Sequence, residues 1–585
     1  MSSLRLRRLA ALTASFAALG TIARAQDAHR ERVPRDPIPV LLRPAAAGEA
    51  LTRADVEGLL ARAAVAAEAE GLKATIVVTD REANVLGAFR MKDAPQTTKI
   101  GSRPGVACGA AGLEGCDVPS LFAAISKAGT ASFFETTGNA FTPRTAGFII
   151  QEHFPPTVEK QAGGPLFGVQ FSSLPCTDVT VPRGAASGFL PLGLSADPGA
   201  VPLYKNGQPV GGIGIEGDGA YTLDKDPLAV EPVESAEERA AVAASKGFEA
   251  PAAIRATEIL VNGIRLPFVS VAQPRDVPTP VLSSLPGDVL VAAHDTGSSR
   301  FLAKTVGGVP GFVLVDGAGA ERFPFRAGAQ AGGLTVDEVE RIVRQAAQTT
   351  LFTRAAIRRP LASNARVSIT VVDVDGAILG FFRTDDAPIF GVDVSAQKAR
   401  TAAFFSSSGA GAALQAAGLS SYVTAAHADG LGLDGTVAFS DRGNGFLSRP
   451  FYPDGIDGNP NGPFSRPISE WSVFNDGLQL DLVKGELKRI LDVFASTGVV
   501  DNTRACTGVA AIPHGIQIFA GSVPLFKNGV LVGAIGVSGD GIDQDDFIAT
   551  NGSSGFEAPP EKRCDRLVIR GTRLPYVKFP RHPQL

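Results

Sequence analysis

The sequence predicts an α+β protein of two tandem domains, each an antiparallel β-sheet with helices packed against it. Three observations carry this: six sequence blocks recur in the same order, each copy exceeds 200 residues, and both copies show the same succession of helix and hairpin signals. The longest block, VPLYKNGQPVGGIGIEGDG at Val201–Gly219, returns without a gap as VPLFKNGVLVGAIGVSGDG at Val523–Gly541. GFEAP recurs at Gly247 and Gly555, and NGIRLPFV at Asn262 returns as RGTRLPYV at Arg570. Upstream, LTRADVEGLLARAA from Leu51 matches LTVDEVERIVRQAA from Leu334, SKAGTASFF at Ser126 matches QKARTAAFF at Gln397, and GNAFTPR at Gly138 matches GNGFLSR at Gly443. Repeats of this length are domains, not solenoid units, and they set the boundaries at 51–271 and 334–585, joined by a Gly-, Pro- and Val-rich segment, 272–333.

Each element follows from local chemistry. Thr52 and Thr335 read as helix N-caps, with Asp55 and Glu338 three residues on in capping-box positions. Val56, Leu59, Leu60 and Ala63 repeat at helical spacing, as do Val339, Ile342, Val343 and Ala346. ATIVVTD turning near Asn84 into VLGAFR, and VSITVVD turning at Asp375-Gly376 into AILGFFR, read as hairpins. A helix follows around Lys127 or Lys398. Asn206-Gly207 and Asn528-Gly529 suit type I′ turns of a second hairpin, and Asn262-Gly263 and Arg570-Gly571 mark a third.

Residues 1–25 read as a signal peptide, with basic Arg5, Arg7 and Arg8, an apolar run to Ile22 and an Ala23-Arg24-Ala25 cleavage site, followed by an extension, 26–50. The expected location is therefore periplasmic or secreted, with no integral membrane segment after cleavage. Its loss removes four arginines and no acid from a chain of formal charge −4, leaving an acidic protein unsuited to nucleic acid. Five cysteines fall at spacings that suit neither zinc nor covalent haem attachment. Cys108 and Cys116, bracketing a Gly-rich loop, are the first expected disulfide. Cys506 and Cys564 are the candidate pair of the second half, which leaves Cys176 over.

The motifs VVDVDG at Val371, FRMKDAP at Phe89, FRTDDAP at Phe382, KARTA at Lys398, GGPLFG at Gly163 and KNGVLVGAIGVSGDGIDQDDFIA at Lys527 together resemble the GlcG/HbpS haem-binding family. The resemblance spans both copies. It implies small antiparallel α+β domains that self-associate, here as an intrachain pseudo-dimer with the capacity to form homo-oligomers, and non-covalent haem (heme) or a similar small molecule as ligand. The first copy departs in a Cys-containing insertion after Pro95 and in lacking an equivalent of Gln544-Asp545, and the second has GPFSRP at Gly462 in place of GGPLFG.

Haem iron needs an axial ligand beside an apolar slot, and propionates favour cations or N–H groups. His153 and His427 are the candidate metal ligands. Arg144 and Arg449, shared through GN-x-F-x-x-R, would clamp a carboxylate or pair a structural acid. Lys127 and Thr130, repeated as Lys398 and Thr401, offer an anion contact and a weak oxygen ligand. Alternatively they are an interface lysine and a threonine bonding back to its own helix. Leu166 and Phe167 of GGPLFG border the expected ligand, so the first copy is expected to hold the better site. No P-loop, G-x-S-x-G or H-E-x-x-H motif is present, so binding is favoured over catalysis. The rivals are a lyase, isomerase or oxidoreductase using a cleft between copies with Lys127 or Lys398 as base, and a cofactor-free structural domain. The acidic run Asp540, Asp543, Asp545 and Asp546 is expected to be a solvated helix start.

Overall fold

The computed structural model describes residues 50–584, apart from 102, 104, 181–187, 224–234, 272–273 and 501–504. The expected signal peptide and nearly all of the extension lie outside the described residues. Within them, the chain is a mixed α+β structure whose two principal sheets repeat one plan.

In the first copy, α1 (Arg53–Ala69) precedes the hairpin β1 (Thr75–Asp80) and β2 (Val85–Met91), then α2 (Ser120–Phe133) and α3 (Pro143–Ile149). The hairpin β3 (Ala200–Lys205) and β4 (Gln208–Glu216) follows, then α4 (Ala236–Ala244). The joining segment contributes β5 (Gly287–Val291), β6 (Phe301–Val306) and β7 (Val309–Leu314). The second copy has α5 (Val336–Thr350), β8 (Val367–Val372), β9 (Ile378–Thr384) and α6 (Gly391–Phe405). Three short helices, α7 (Ala410–Ala416), α8 (Ser420–Ala428) and α9 (Asp441–Leu447), and the longer α10 (Leu478–Thr497) come next. The hairpin β10 (Ser522–Lys527) and β11 (Val530–Gly539) and α11 (Ile542–Gly552) complete it.

Local signals account for these elements. Thr52 and Thr335 close full capping boxes with Asp55 and Glu338. Both residues of Asn206-Gly207 and of Asn528-Gly529 have positive φ, as a type I′ turn requires. Asp80 and Asp373 each accept two backbone N–H groups across their hairpin turns.

The sheets share one register. Strand order is β5-β2-β1-β4-β3 in the first and β6-β7-β9-β8-β11-β10 in the second. Thr75 faces Glu216 and Arg90, and its counterpart Ser368 faces Ser538 and Arg383. The joining segment is part of both sheets. Gly287 of β5 pairs with Met91, and Gly311 of β7 pairs with the matching Thr384. The third hairpin of each copy stands apart as a two-stranded ribbon. Alternation along the strands builds two buried faces: Ile369, Val371, Ile535 and Val537 join the core with α5 and α11, while Val372 and Ala534 join α6. Glycine lets the central helix press on the sheet. A Cβ on Gly536 would lie 2.1 Å from the Ser395 carbonyl oxygen, and one on Gly214 would lie 2.5 Å from that of Ala124.

The copies meet over a broad buried junction. Phe134 packs on Phe390 at 4.6 Å between ring centroids, Phe122 on Phe494 at 4.3 Å, and Phe167 stacks on Trp471 at 5.5 Å. Asp393 accepts from the Ser173 N–H at 2.7 Å, and Asp178 pairs with Arg400 at 2.7 Å.

The cysteine pairing differs in part from expectation. Cys108–Cys116 is formed, but Cys506 joins Cys176 across the junction, 330 residues apart in sequence, and Cys564 is a buried free thiol. The reason is tertiary: Cys564 Sγ lies against the Pro575 carbonyl inside its own copy, whereas the junction carries Cys506 to the first copy. Peptide mapping of oxidised protein without reductant is expected to yield a Cys176–Cys506 cross-linked peptide and unpaired Cys564. Replacing Cys176 and Cys506 by Ala should cost about 2–4 kcal/mol of stability, read from denaturant unfolding.

Candidate functional site

Two places in the fold concentrate polar chemistry: a buried lysine in each copy, and a cavity where the copies meet. Lys127 on α2 and Lys398 on α6 are fully buried. Lys127 Nζ lies 2.7 Å from Asp197 Oδ2, 2.8 Å from Glu216 Oε2 and 2.5 Å from Glu237 Oε2. Glu237 belongs to α4, so this ammonium ties helices on opposite faces of the sheet. Lys398 Nζ reaches Asp545 Oδ2 of α11 at 3.0 Å and the Val537 carbonyl at 2.9 Å, and lies over the Phe519 ring. The three carboxylates around Lys127 have the spacing of a metal site, but the ammonium already occupies the point they share.

Burial alone would strip Lys127 of its proton, but Asp197, Glu216 and Glu237 outweigh it and hold the group well above the usual lysine value. Burial pushes the Glu237 carboxyl up to about 8, with Lys127 pulling the other way. Neither lysine can serve as the cleft base considered from sequence, because each is sealed from solvent inside an ion pair. Thr130 and Thr401 bond back to the carbonyls of Ser126 and Gln397 at 2.6 and 2.7 Å and accept the N–H groups of Ser195 and Gln517. Their role is to fix the strand approach to the central helix.

The arginines are rearranged relative to the sequence alignment. Thr142 caps α3 and bonds the Phe268 carbonyl, while Ser440 caps α9 and bonds that of Tyr576, so Arg144 corresponds in space to Arg442, not to Arg449. Arg144 grips Glu238 of α4 and Arg442 grips Asp546 and Asp543 of α11. Both are spent on structural acids. Arg449 lies over the Phe167 ring at 4.0 Å and 3.6 Å from Asp454. Phe167 itself is buried between that guanidinium and Trp471. The same alignment makes GPFSRP the spatial equivalent of GGPLFG: the N–H of Gly164 bonds the Gln151 carbonyl and that of Gly462 bonds the Arg449 carbonyl.

The histidines are not brought to a common site. His153 places Nδ1 2.7 Å from the Gln161 carbonyl and Nε2 3.5 Å from Asp457, and its ring stacks on Phe451, so both nitrogens are engaged. His427 is exposed in the last turn of α8, with Nε2 3.2 Å from the Gly432 carbonyl. Neither His153 nor His427 lines the cavity between the copies, where the candidate ligand space lies.

That space is a cavity of about 610 Å³ between the copies. Phe141, Ile149, Leu166 and Leu266 of the first copy and Ile357 and Phe579 of the second form its apolar wall. Asp543, Gln544, Lys578 and Arg581 form its polar end. Of the ligand contacts expected from sequence, Leu166 lines it. Lys578 and Arg581 were hidden in an unremarkable C-terminal tail; the one signal for the polar end was that the sequence alignment leaves Gln544-Asp545 without a counterpart, although in space Glu237 takes the place of Asp545. The acidic run is not a solvated helix start: Asp540, Asp545 and Asp546 are buried and paired with Arg358, Lys398 and Arg442, and Asp543 with Arg442 and Lys578.

Fold and site thus define a tandem α+β protein with a cavity of small-molecule size at the junction of its copies. The family model described as "Haem degrading protein HbpS-like" matches residues 344–441 and 493–554, both within the second copy, and the GlcG/HbpS resemblance is borne out there. No curated protein matches the chain. Among solved structures, Klebsiella pneumoniae protein ORFY of family DUF336 is 16% identical, covering 38% of this chain and 91% of its own, with a TM-score of 0.20. A PduOC:heme complex is 13% identical over 39% of this chain and 97% of its own, with a TM-score of 0.18. Among the described residues no helix is long and apolar enough to cross a membrane.

The excess of acid around Lys127 has a measurable consequence. A carboxyl held near 8 in the folded chain, against an ordinary 4.5, gives stability that is complete below about 4.5 and is lost as pH rises toward 8. Glu216→Gln removes one of the three competing charges. It is expected to flatten that pH dependence and to stabilise the protein at pH 8 by about 1–2 kcal/mol relative to its effect at pH 5, measured by urea unfolding.

Proposed function

We propose that this is an exported haem-binding protein whose ligand occupies the cavity between the copies. The observation that carries the reading is the HbpS-like match over the second copy. The cavity supports it: the volume suits a small-molecule ligand, the walls are apolar, and Lys578 and Arg581 offer cations where propionates would lie. The lining suits the porphyrin body and its carboxylates better than the iron. None of the lining residues is His, Met, Cys or Tyr, so the side-chain oxygens available to iron are those of Asn262, Asp543 and Gln544. The reading is binding, storage or sensing instead of catalysis, since the lysines suggested as bases are locked in ion pairs. Export is supported by the leader-like N-terminus and by two disulfides, which persist in oxidising compartments.

Ferric haem titrated into the intact protein is expected to shift the Soret band saturably. Leu166→Asp, which puts a charge into the apolar wall, should weaken binding about tenfold or more, while His153→Ala and His427→Ala leave the Soret maximum in place. The absence of any spectral response in the wild-type protein would overturn the haem reading. N-terminal sequencing of protein recovered outside the cytoplasm should begin at Gln26.

A further inference from the structure

The polar end of the cavity is the first turn of α11, and its construction points to a ligand more narrowly than the walls do. The turn is open. Gly541 has no side chain to cap it, and Ile542, Asp543 and Gln544 line the cavity. The N–H of Asp545 is taken by the Gly541 carbonyl, but the N–H groups ahead of it have no partner within the helix. The matching helix of the first copy, α4, is closed by the Ser235 hydroxyl.

The acids of this turn do not compete for it. Asp545 is turned to Lys398, Asp546 to Arg442, and Asp543 lies between Arg442 and Lys578. What remains facing the space is Gln544. It is 7% exposed, it lines the cavity, and its amide makes no hydrogen bond among the described residues. Without a partner in the chain, the amide is open to whatever occupies the cavity. The room beside it depends on glycine: a Cβ on Gly541, whose φ is +134°, would lie 2.3 Å from Gln544 Oε1 and 2.7 Å from Ala356 Cβ.

We infer that the first turn of α11 together with the Gln544 amide is a carboxylate-recognition site, so that the ligand is an apolar molecule carrying at least one carboxylate. The inference rests on the cavity being the ligand site. Outward-pointing N–H groups at the positive end of a helix favour an anion, and a side-chain amide adds a donor without adding a charge. The rim cations are a poorer anchor. Lys578 is already paired with Asp543 and its side chain is 61% exposed, where solvent screens it.

The test uses protoporphyrin IX and its dimethyl ester, which share the ring and differ in free carboxylates, titrated into the full chain in the same cosolvent and followed by porphyrin fluorescence. The wild-type protein is expected to bind the diacid at least tenfold more tightly than the diester. Gln544→Leu should bring the two within about threefold, with circular dichroism confirming the fold. Lys578→Ala should keep most of the preference. Equal binding of the two forms by the wild-type protein overturns the inference, and so does a preference that survives Gln544→Leu. If the diacid preference holds while ferric haem gives no Soret response, the haem reading falls and the carboxylate site stands. If neither porphyrin binds, the carboxylate site falls, and the ferric haem titration decides the haem reading separately.

Discussion

Each copy is organised around one buried ammonium group. Lys127 and Lys398 rise from the central helix on one face of the sheet and meet an acid, Glu237 or Asp545, from the last helix on the other face. They pass where the second hairpin begins, and the space is left by Gly199 and Gly521: a Cβ at either would lie within 3.1 Å of the lysine Nζ. An unpaired charge at that depth would be prohibitive, so the helix, the hairpin and the last helix must assemble together. The KAxTA and NG-x-x-V-G patterns are the visible trace of this dependence. The glycines of β4 and β11 add the close helix–sheet contact that brings the lysine within reach.

Around that shared element the copies have diverged in charge. In the first, Asp197 and Glu216 join Glu237, while in the second the matching positions are Phe519 and Ser538, and Lys398 lies over an aromatic ring. The junction between copies has diverged as well. One side of it stacks His153 on Phe451 and Phe167 on Trp471 and is filled. Another leaves the cavity open between the first copy's GGPLFG loop and the start of α11. A duplicated chain relieves the demand that both halves of a dimer keep the same surface, so one side can become packing while the other keeps a binding space. The joining segment takes part in this economy, since its strands close an edge of each sheet.

Much of the fold was legible because it depends on neighbours in sequence. Capping boxes, Asn-Gly turns and strand alternation act over two to five residues, and the repeat displayed each of them twice. The arginines show where this ended. GNAFTPR and GNGFLSR align as letters, yet the helix caps Thr142 and Ser440 set the true register seven residues away, because a cap is chosen by where the chain must turn. The histidines misled for a related reason. A lone imidazole has the chemistry of a ligand, but whether its nitrogens are free is decided by carbonyls and acids that approach from elsewhere.

By itself the sequence determined the α+β class, the duplication, the hairpin turns and the Cys108–Cys116 link, all of which follow from short-range periodicity and turn chemistry. The tertiary structure alone decided that Cys176 pairs with Cys506, that Arg144 and Arg442 are spent on buried acids, and that Leu166 meets Gln544 across a cavity. These are contacts between residues more than 90 positions apart. They depend on how two folded surfaces come to rest on each other, and no local pattern in the chain encodes that geometry.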